Sequence, residues 1–374
     1  MYDMLAARRR IMMANKKPSF HVWDGSRDYS FFNTGASTWY IDTPEKWAAL
    51  CMISLNMDVA DGSGLTNARA AMVSKNVEVT EDLYFNDGYK DNFSWETTYQ
   101  NDSEKDILNN FAYVLRADGQ RVALYLEAYC QNFNGNFHKI IGMYASSYSW
   151  TRYHPGIITN PQRNIRNISF EYCTLKNGMT RGTSLESYKS NIYPSIIFFD
   201  FDSNPTFKNI RAYHCKIIGV CTDNYNGRGF LIGSSNYEPS PSAIMQNLSV
   251  QSCQAMLNFS NPNYYDRRQH AFVHNDSRNK NYKFIHTFEN ENLVPSQPLR
   301  NTYQISNPYA PPASESYVYT FGNIGTTTVH ETSILQTMSS KAALIAQVND
   351  DITANASGDL SLLDANGNFT GVCP

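Results

Sequence analysis

Asp200 and Asp202, in the run Phe198-Phe-Asp-Phe-Asp202, stand two residues apart in a segment whose apolar, aromatic composition predicts a β-strand. Successive side chains of a strand point to opposite faces, so both carboxylates share one face with Cα atoms ~6.6 Å apart. Two carboxylates at that reach can divide general acid and general base roles. Asp223, in Cys221-Thr-Asp-Asn224, sits on a turn that can bring a third. Paired aspartates at a strand end also cap turns, and that reading competes with a catalytic one. The same alternation sends Phe199 and Phe201 inward and leaves Ile196 and Phe198 outside, where an exposed apolar pair marks a contact surface. Loops carrying Tyr225, Arg228, Tyr264, Tyr265, Arg267 and Arg268 offer aromatic rings and guanidinium groups. These residue types are enriched in recognition surfaces, and the six are the candidate ligand-binding residues.

Other chemistries lack their signatures. The i, i+4 pair His270 and His274 spans a predicted strand without the Glu of a helical zinc motif, and His214 and His286 fall in or beside strands. Seven cysteines are odd in number and form no Cys-x-x-Cys pair, so neither a metal site nor a disulfide framework is expected. No Gly-x-Ser-x-Gly elbow, phosphate loop or dinucleotide fingerprint occurs, and no cofactor is expected.

Composition narrows the classes further. The chain has 374 residues, 42% hydrophobic and 17% charged, with 31 basic and 34 acidic residues for a net charge of -3. There is no global positive field to gather nucleic acid, and no apolar run approaches the ~18 residues of a membrane span. Arg8, Arg9, Arg10, Lys16 and Lys17 crowd the first residues, but only Ile11 to Ala14 follows as an apolar stretch, too short for a secretory signal. The expectation is a protein folded in a reducing cytoplasm, with the basic peptide a short helix, an unstructured terminus or a docking segment for another protein.

The positioning elements come from a repeat. Asn167-Ile-Ser-Phe-Glu-Tyr-Cys173, Asn209-Ile-Arg-Ala-Tyr-His-Cys215 and Asn247-Leu-Ser-Val-Gln-Ser-Cys253 align without gaps. Each reads as a strand with one buried face, and the cysteines are expected to stack in one buried column. Asn281-Tyr-Lys-Phe-Ile-His-Thr287 looks like a fourth copy. Each copy follows a second short apolar strand starting at Gly156, Ser195, Gly229 or Ala271, a period of roughly 40 residues that implies stacked units.

These Asn-Ile-x-Phe-x-x-Cys segments resemble right-handed parallel β-helix proteins, the pectate-lyase-like superfamily that includes bacteriophage tailspikes and tail fibres. Ile41-Asp-Thr-Pro-Glu-Lys-Trp-Ala-Ala-Leu50, Val77-Glu-Val-Thr80 and Phe133-Asn-Gly-Asn-Phe137 strengthen the resemblance, in the order of a capping helix, a first strand and a Phe-x-Gly-x-Phe turn. The resemblance covers about residues 38–290. It implies an all-β parallel β-helix with an N-terminal cap and a short C-terminal helical element. It further implies a virion structural protein, a tail spike, fibre or other appendage subunit that attaches to host-surface polysaccharide. Such a subunit would be homotrimeric, made in the host cytoplasm and bound to other virion proteins through Arg8, Arg9 and Arg10. Two other functions stay open: a polysaccharide depolymerase using Asp200, Asp202 and Asp223, and a bacterial surface adhesin. The motif set of polygalacturonase-like hydrolases is absent, which weighs against the enzyme.

Three regions follow: 1–37 as a basic docking or cap segment, 38–290 as the repeat, and 291–374 as a Pro-rich linker and helix-containing tail. Trp23, Trp39, Trp47, Trp95 and Trp150 are concentrated in the front part. Glu104 to Asp118 is expected as an inserted helix. From Glu331 to Ile352 the residues Ile334, Met338, Lys341, Ile345, Val348 and Ile352 form a heptad-like stripe, suited either to packing on the chain's own strands or to self-association.

Overall fold

The structure is a computed structural model. It describes residues 20–59, 62–86, 113–115, 121–146, 156–159, 161, 163–176, 195–199, 205–221, 231–234, 244–251, 253–259, 283–285, 287–289, 317–321, 334–338, 341–355 and 359–374.

Strand β1 (Thr38–Ile41) leads into helix α1 (Pro44–Ser54). The helix starts where it does because the Thr43 hydroxyl accepts from the Lys46 N–H, and Pro44 supplies a preset first-turn φ. All of its residues except Lys46 are buried, as expected of a helix apolar all round. It packs on β6 (Leu126–Glu127) and β1, with the Trp47 ring edge-on to Phe133 at 6.0 Å. Trp23, Tyr29, Phe31 and Phe32 close over the same core from outside.

A short helix α2 (Ala68–Met72) and strands β2 (Asn76–Val79) and β3 (Leu83–Tyr84) follow. Next come an antiparallel pair, β4 (Tyr113–Leu115) and β5 (Arg121–Ala123), then β6, β7 (Asn132–Asn134), β8 (Lys139–Ile141) and β9 (Tyr144–Ser146). Tyr113–Leu115 corrects the helix expected over 104–118. Val114 is β-branched and pairs across to Val122, which favours the extended state. The rest of that segment lies outside the described residues.

A three-strand unit then occurs three times. The first is β10 (Ile158–Thr159), β11 (Asn164–Glu171) and β12 (Thr174–Lys176). The second is β13 (Ile197–Phe199), β14 (Thr206–Tyr213) and β15 (Lys216–Cys221). The third is β16 (Ile232–Ser234), β17 (Ile244–Gln251) and β18 (Gln254–Phe259). Each unit gives one strand to each of three sheets: β6-β10-β13-β16, β9-β12-β15-β18, and the run β7-β11-β14-β17 within a 12-stranded sheet that starts at β1-β2; these neighbours all pair in parallel. Inward columns such as Ile165–Phe207 and Ile168–Ile210–Leu248 form one core with β1 and α1.

Beyond the third unit the pattern changes. Strands β19 (Lys283–Ile285) and β20 (Thr287–Glu289) pair parallel with β17, but β21 (Tyr317–Phe321) and β22 (Ile334–Met338) join antiparallel. Helix α3 (Lys341–Asn355) follows. The expectation of an all-β right-handed parallel β-helix is therefore corrected. Among the described residues there are parallel sheets, antiparallel pairs and helices, but no closed solenoid. The repeated motif specifies pairing between equivalent strands of neighbouring units; it does not specify the path from one sheet to the next.

Three local expectations also change. Lys283 pairs with Ile244, five positions from the partner implied by aligning Asn281 with Asn247, so the fourth copy is out of register. Counting from the small residues that start the short strands, the third unit is shifted by one: Ile232, three residues after Gly229, is opposite Ile197, two after Ser195. Ile334 and Met338 belong to β22, and the helical stripe reduces to Ile345, Val348 and Ile352, which pack with Leu360 and Leu363 of the same chain.

Candidate functional site

At the middle of each long strand the backbone takes a left-handed step on asparagine: φ is 56° at Asn167, 51° at Asn209 and 52° at Asn247. Asparagine tolerates this region better than any other residue with a branched or bulky side chain. The step turns the amides into one column. Asn167 donates to Asn134 Oδ1 at 3.0 Å, Asn209 to Asn167 Oδ1 at 2.7 Å, and Asn247 to Asn209 Oδ1 at 2.7 Å. A second column runs along the strand starts, from Asn164 to Asn132 and from Asn132 to Asn76, each at 2.8 Å. Cys173, Cys215 and Cys253 are buried beside these strands; the Cys215 N–H donates to Cys253 Sγ at 3.3 Å, and the Cys173 and Cys215 side chains interact. The expected sulfur column is present. Burial pushes the Cys51, Cys130 and Cys173 thiols up, Cys130 to about 12, so they are neutral packing groups at ordinary pH.

C-terminal to the asparagine column, the outward face carries charge under cover. Glu171 Oε1 receives Arg211 Nη1 at 2.9 Å and Lys139 Nζ at 3.1 Å, and the guanidinium lies 4.4 Å from the Tyr213 ring centroid. Arg211 is 1% exposed; burial lowers its pKa, and Glu171 opposes that shift. Next to it a half-buried aromatic edge continues the pattern of left-handed steps. Tyr172 (φ 53°) and His214 (φ 49°) stack at 5.0 Å with 4° between planes, and Tyr213 meets both edge-on at 5.9 and 4.3 Å. Non-glycine residues held at positive φ cluster at functional sites, because the surrounding structure must hold them there.

This edge was not singled out from the sequence, although Tyr172 and His214 occupy the same motif position one residue before the cysteine. The candidate residues Asp200, Asp202, Asp223, Tyr225, Arg228, Tyr264, Tyr265, Arg267 and Arg268 lie outside the described residues, as do Arg8, Arg9, Arg10, His270, His274 and His286. Ile196 was expected outside and is fully buried. It sits at a bend before β13, where strand alternation does not apply, and like Ile197 it faces the core. Among the described residues, no group of three or more His, Cys, Asp and Glu could hold a metal ion, and no helix is long and apolar enough to cross a membrane. No protein-family model, curated protein or solved structure matches the chain.

Proposed function

We propose that this chain is a bacteriophage virion structural protein, a tail-spike, tail-fibre or related appendage subunit, that attaches to host-surface polysaccharide. The observation that carries the reading is the Tyr172, Tyr213 and His214 edge. Flat rings with apolar faces and polar rims are set on a stiff parallel ladder, beside a cation, and rings of this kind pack well against sugar faces. Rigid presentation lowers the ordering cost of binding. In this reading the basic Arg8–Arg10 peptide holds the subunit, as a homotrimer, to other virion proteins.

The test has two parts. Antibody raised against the purified protein is expected to decorate the tails of particles of the phage that encodes it, seen by immunogold microscopy. The purified protein is expected to bind cells of that host, with at least tenfold weaker binding for Tyr172→Ala. Unlabelled particles overturn the virion assignment, and equal binding by the Tyr172→Ala protein overturns the role of the aromatic edge.

A further inference from the structure

The asparagine column is occupied along its outer side by the chain's own C-terminal segment. Asn209 Nδ2 donates to the Asp359 carbonyl at 2.9 Å, Asn209 Oδ1 accepts from the Ser361 N–H at 2.9 Å, and Asn247 Nδ2 donates to the Ser361 carbonyl at 2.9 Å. The Asp359 carboxylate pairs with Lys208, and Asp364 acts electrostatically on Arg211. Two residues further along, Asn349 of α3 reads the Leu363 backbone in the same bidentate way, accepting from its N–H at 2.8 Å and donating to its carbonyl at 2.9 Å.

Two features set this contact apart from core packing. The apolar anchors of the segment, Leu360 and Leu363, are spent on α3, in a cluster that shares no residue with the main core. The segment meets the ladder through three hydrogen bonds and an ion pair, with Phe369 and Gly371 against the Phe137 ring. Polar contacts of this kind typify exchangeable interfaces, whereas obligate ones are apolar. The receiving groups are also prepared in advance. Each ladder amide is oriented by the next one, so its second N–H points outward at a repeat of ~4.8 Å whether or not a peptide lies on it.

We infer that Lys208, Asn209, Arg211 and Asn247 form a docking column for an extended acidic peptide of a partner protein, and that Asp359–Asp364 is its resident occupant, an autoinhibitory strap. The ladder amides read backbone carbonyl and N–H groups in the alternation an extended peptide presents. Lys208 and Arg211 select carboxylates at the first and sixth positions. This inference does not rest on the attachment reading: it concerns a peptide ligand on the neighbouring stretch of the same outward face, with Arg211 common to both.

The experiment uses the full chain and a fluorescein-labelled synthetic peptide of sequence 358–365, followed by anisotropy. Two variants loosen the strap by different means: Ser361→Pro removes the N–H that Asn209 accepts, and Asp359→Lys repels Lys208. Both are expected to bind the peptide at least tenfold more tightly than the parent chain. Adding Lys208→Glu to the Ser361→Pro chain is expected to abolish binding of this peptide, and a peptide carrying Lys in place of Asp359 to restore it. Failure of both loosened chains to take up the peptide, or uptake indifferent to Lys208→Glu, overturns the inference. So does preferential binding of an anionic oligosaccharide in place of the peptide.

Discussion

Asn209 uses the whole hydrogen-bonding capacity of one amide. It donates to Asn167 Oδ1 and the Asp359 carbonyl, and accepts from Asn247 Nδ2 and the Ser361 N–H. Asn209→Ala leaves four groups short of a partner, those on Asn247 and Ser361 buried, and puts a Cβ-bearing residue without a local hydrogen bond at φ 51°. The expected loss is about 4 kcal/mol, of which Asn209→Gly should recover about 1 by relieving the backbone term alone. Urea denaturation of the three proteins measures both; equal midpoints for Ala and Gly would show that the backbone term is absent. The asparagine and cysteine columns were legible in the sequence, because identical residues at one motif position stack when equivalent strands pair in parallel. The aromatic edge was less so: Tyr172 and His214 differ in type, and what unites them is a backbone step that residue patterns do not display.

At the level of elements, the turn between β7 and β8 depends on Gly135. A Cβ there would come within 2.3 Å of the Asn167 carbonyl oxygen and 2.7 Å of Ile168 Cβ, both belonging to β11, the neighbouring strand. Backbone cannot swing aside as a flexible side chain can, so Gly135→Ala is expected to cost about 3 kcal/mol. Thermal unfolding of the variant tests this, and an unchanged midpoint would mean that the strands part without penalty. The Phe-x-Gly-x-Phe motif around this glycine was visible beforehand, as was α1, whose Thr-Pro-Glu start is a strong local signal. Elements without such punctuation were misread. The stripe from Ile334 to Ile352 fits helical spacing, yet Ile334–Met338 gains more as a strand paired with β21 than as another helical turn. Ile196 was misplaced because strands of two or three residues are too short for alternation to govern their flanks.

For the molecule as a whole, stability is coupled to pH through a lysine placed among the parallel strands. Burial lowers the Lys216 ammonium from 10.5 to about 8. Between about 8 and 10.5 the unfolded chain therefore holds a proton that the folded chain has lost, and this group raises stability as pH increases. The thiols of Cys51, Cys130 and Cys173 act oppositely above about 9, since their folded values are raised and the unfolded chain ionises first. The Lys216 contribution is read from the difference between the parent and Lys216→Met. The parent is expected to gain on the variant from pH 8 to 10 in urea midpoints, and parallel curves would show that the lysine is solvated.

The asparagines linked along the ladder are separated by 33, 42 and 38 residues, yet the amides still meet at hydrogen-bonding distance. Spacing in the finished molecule is thus decoupled from spacing in the gene. Segments between units can lengthen, shorten or diverge through insertion and deletion while the amides re-establish alignment, which makes the stretches between units the natural ground for rapid change under selection.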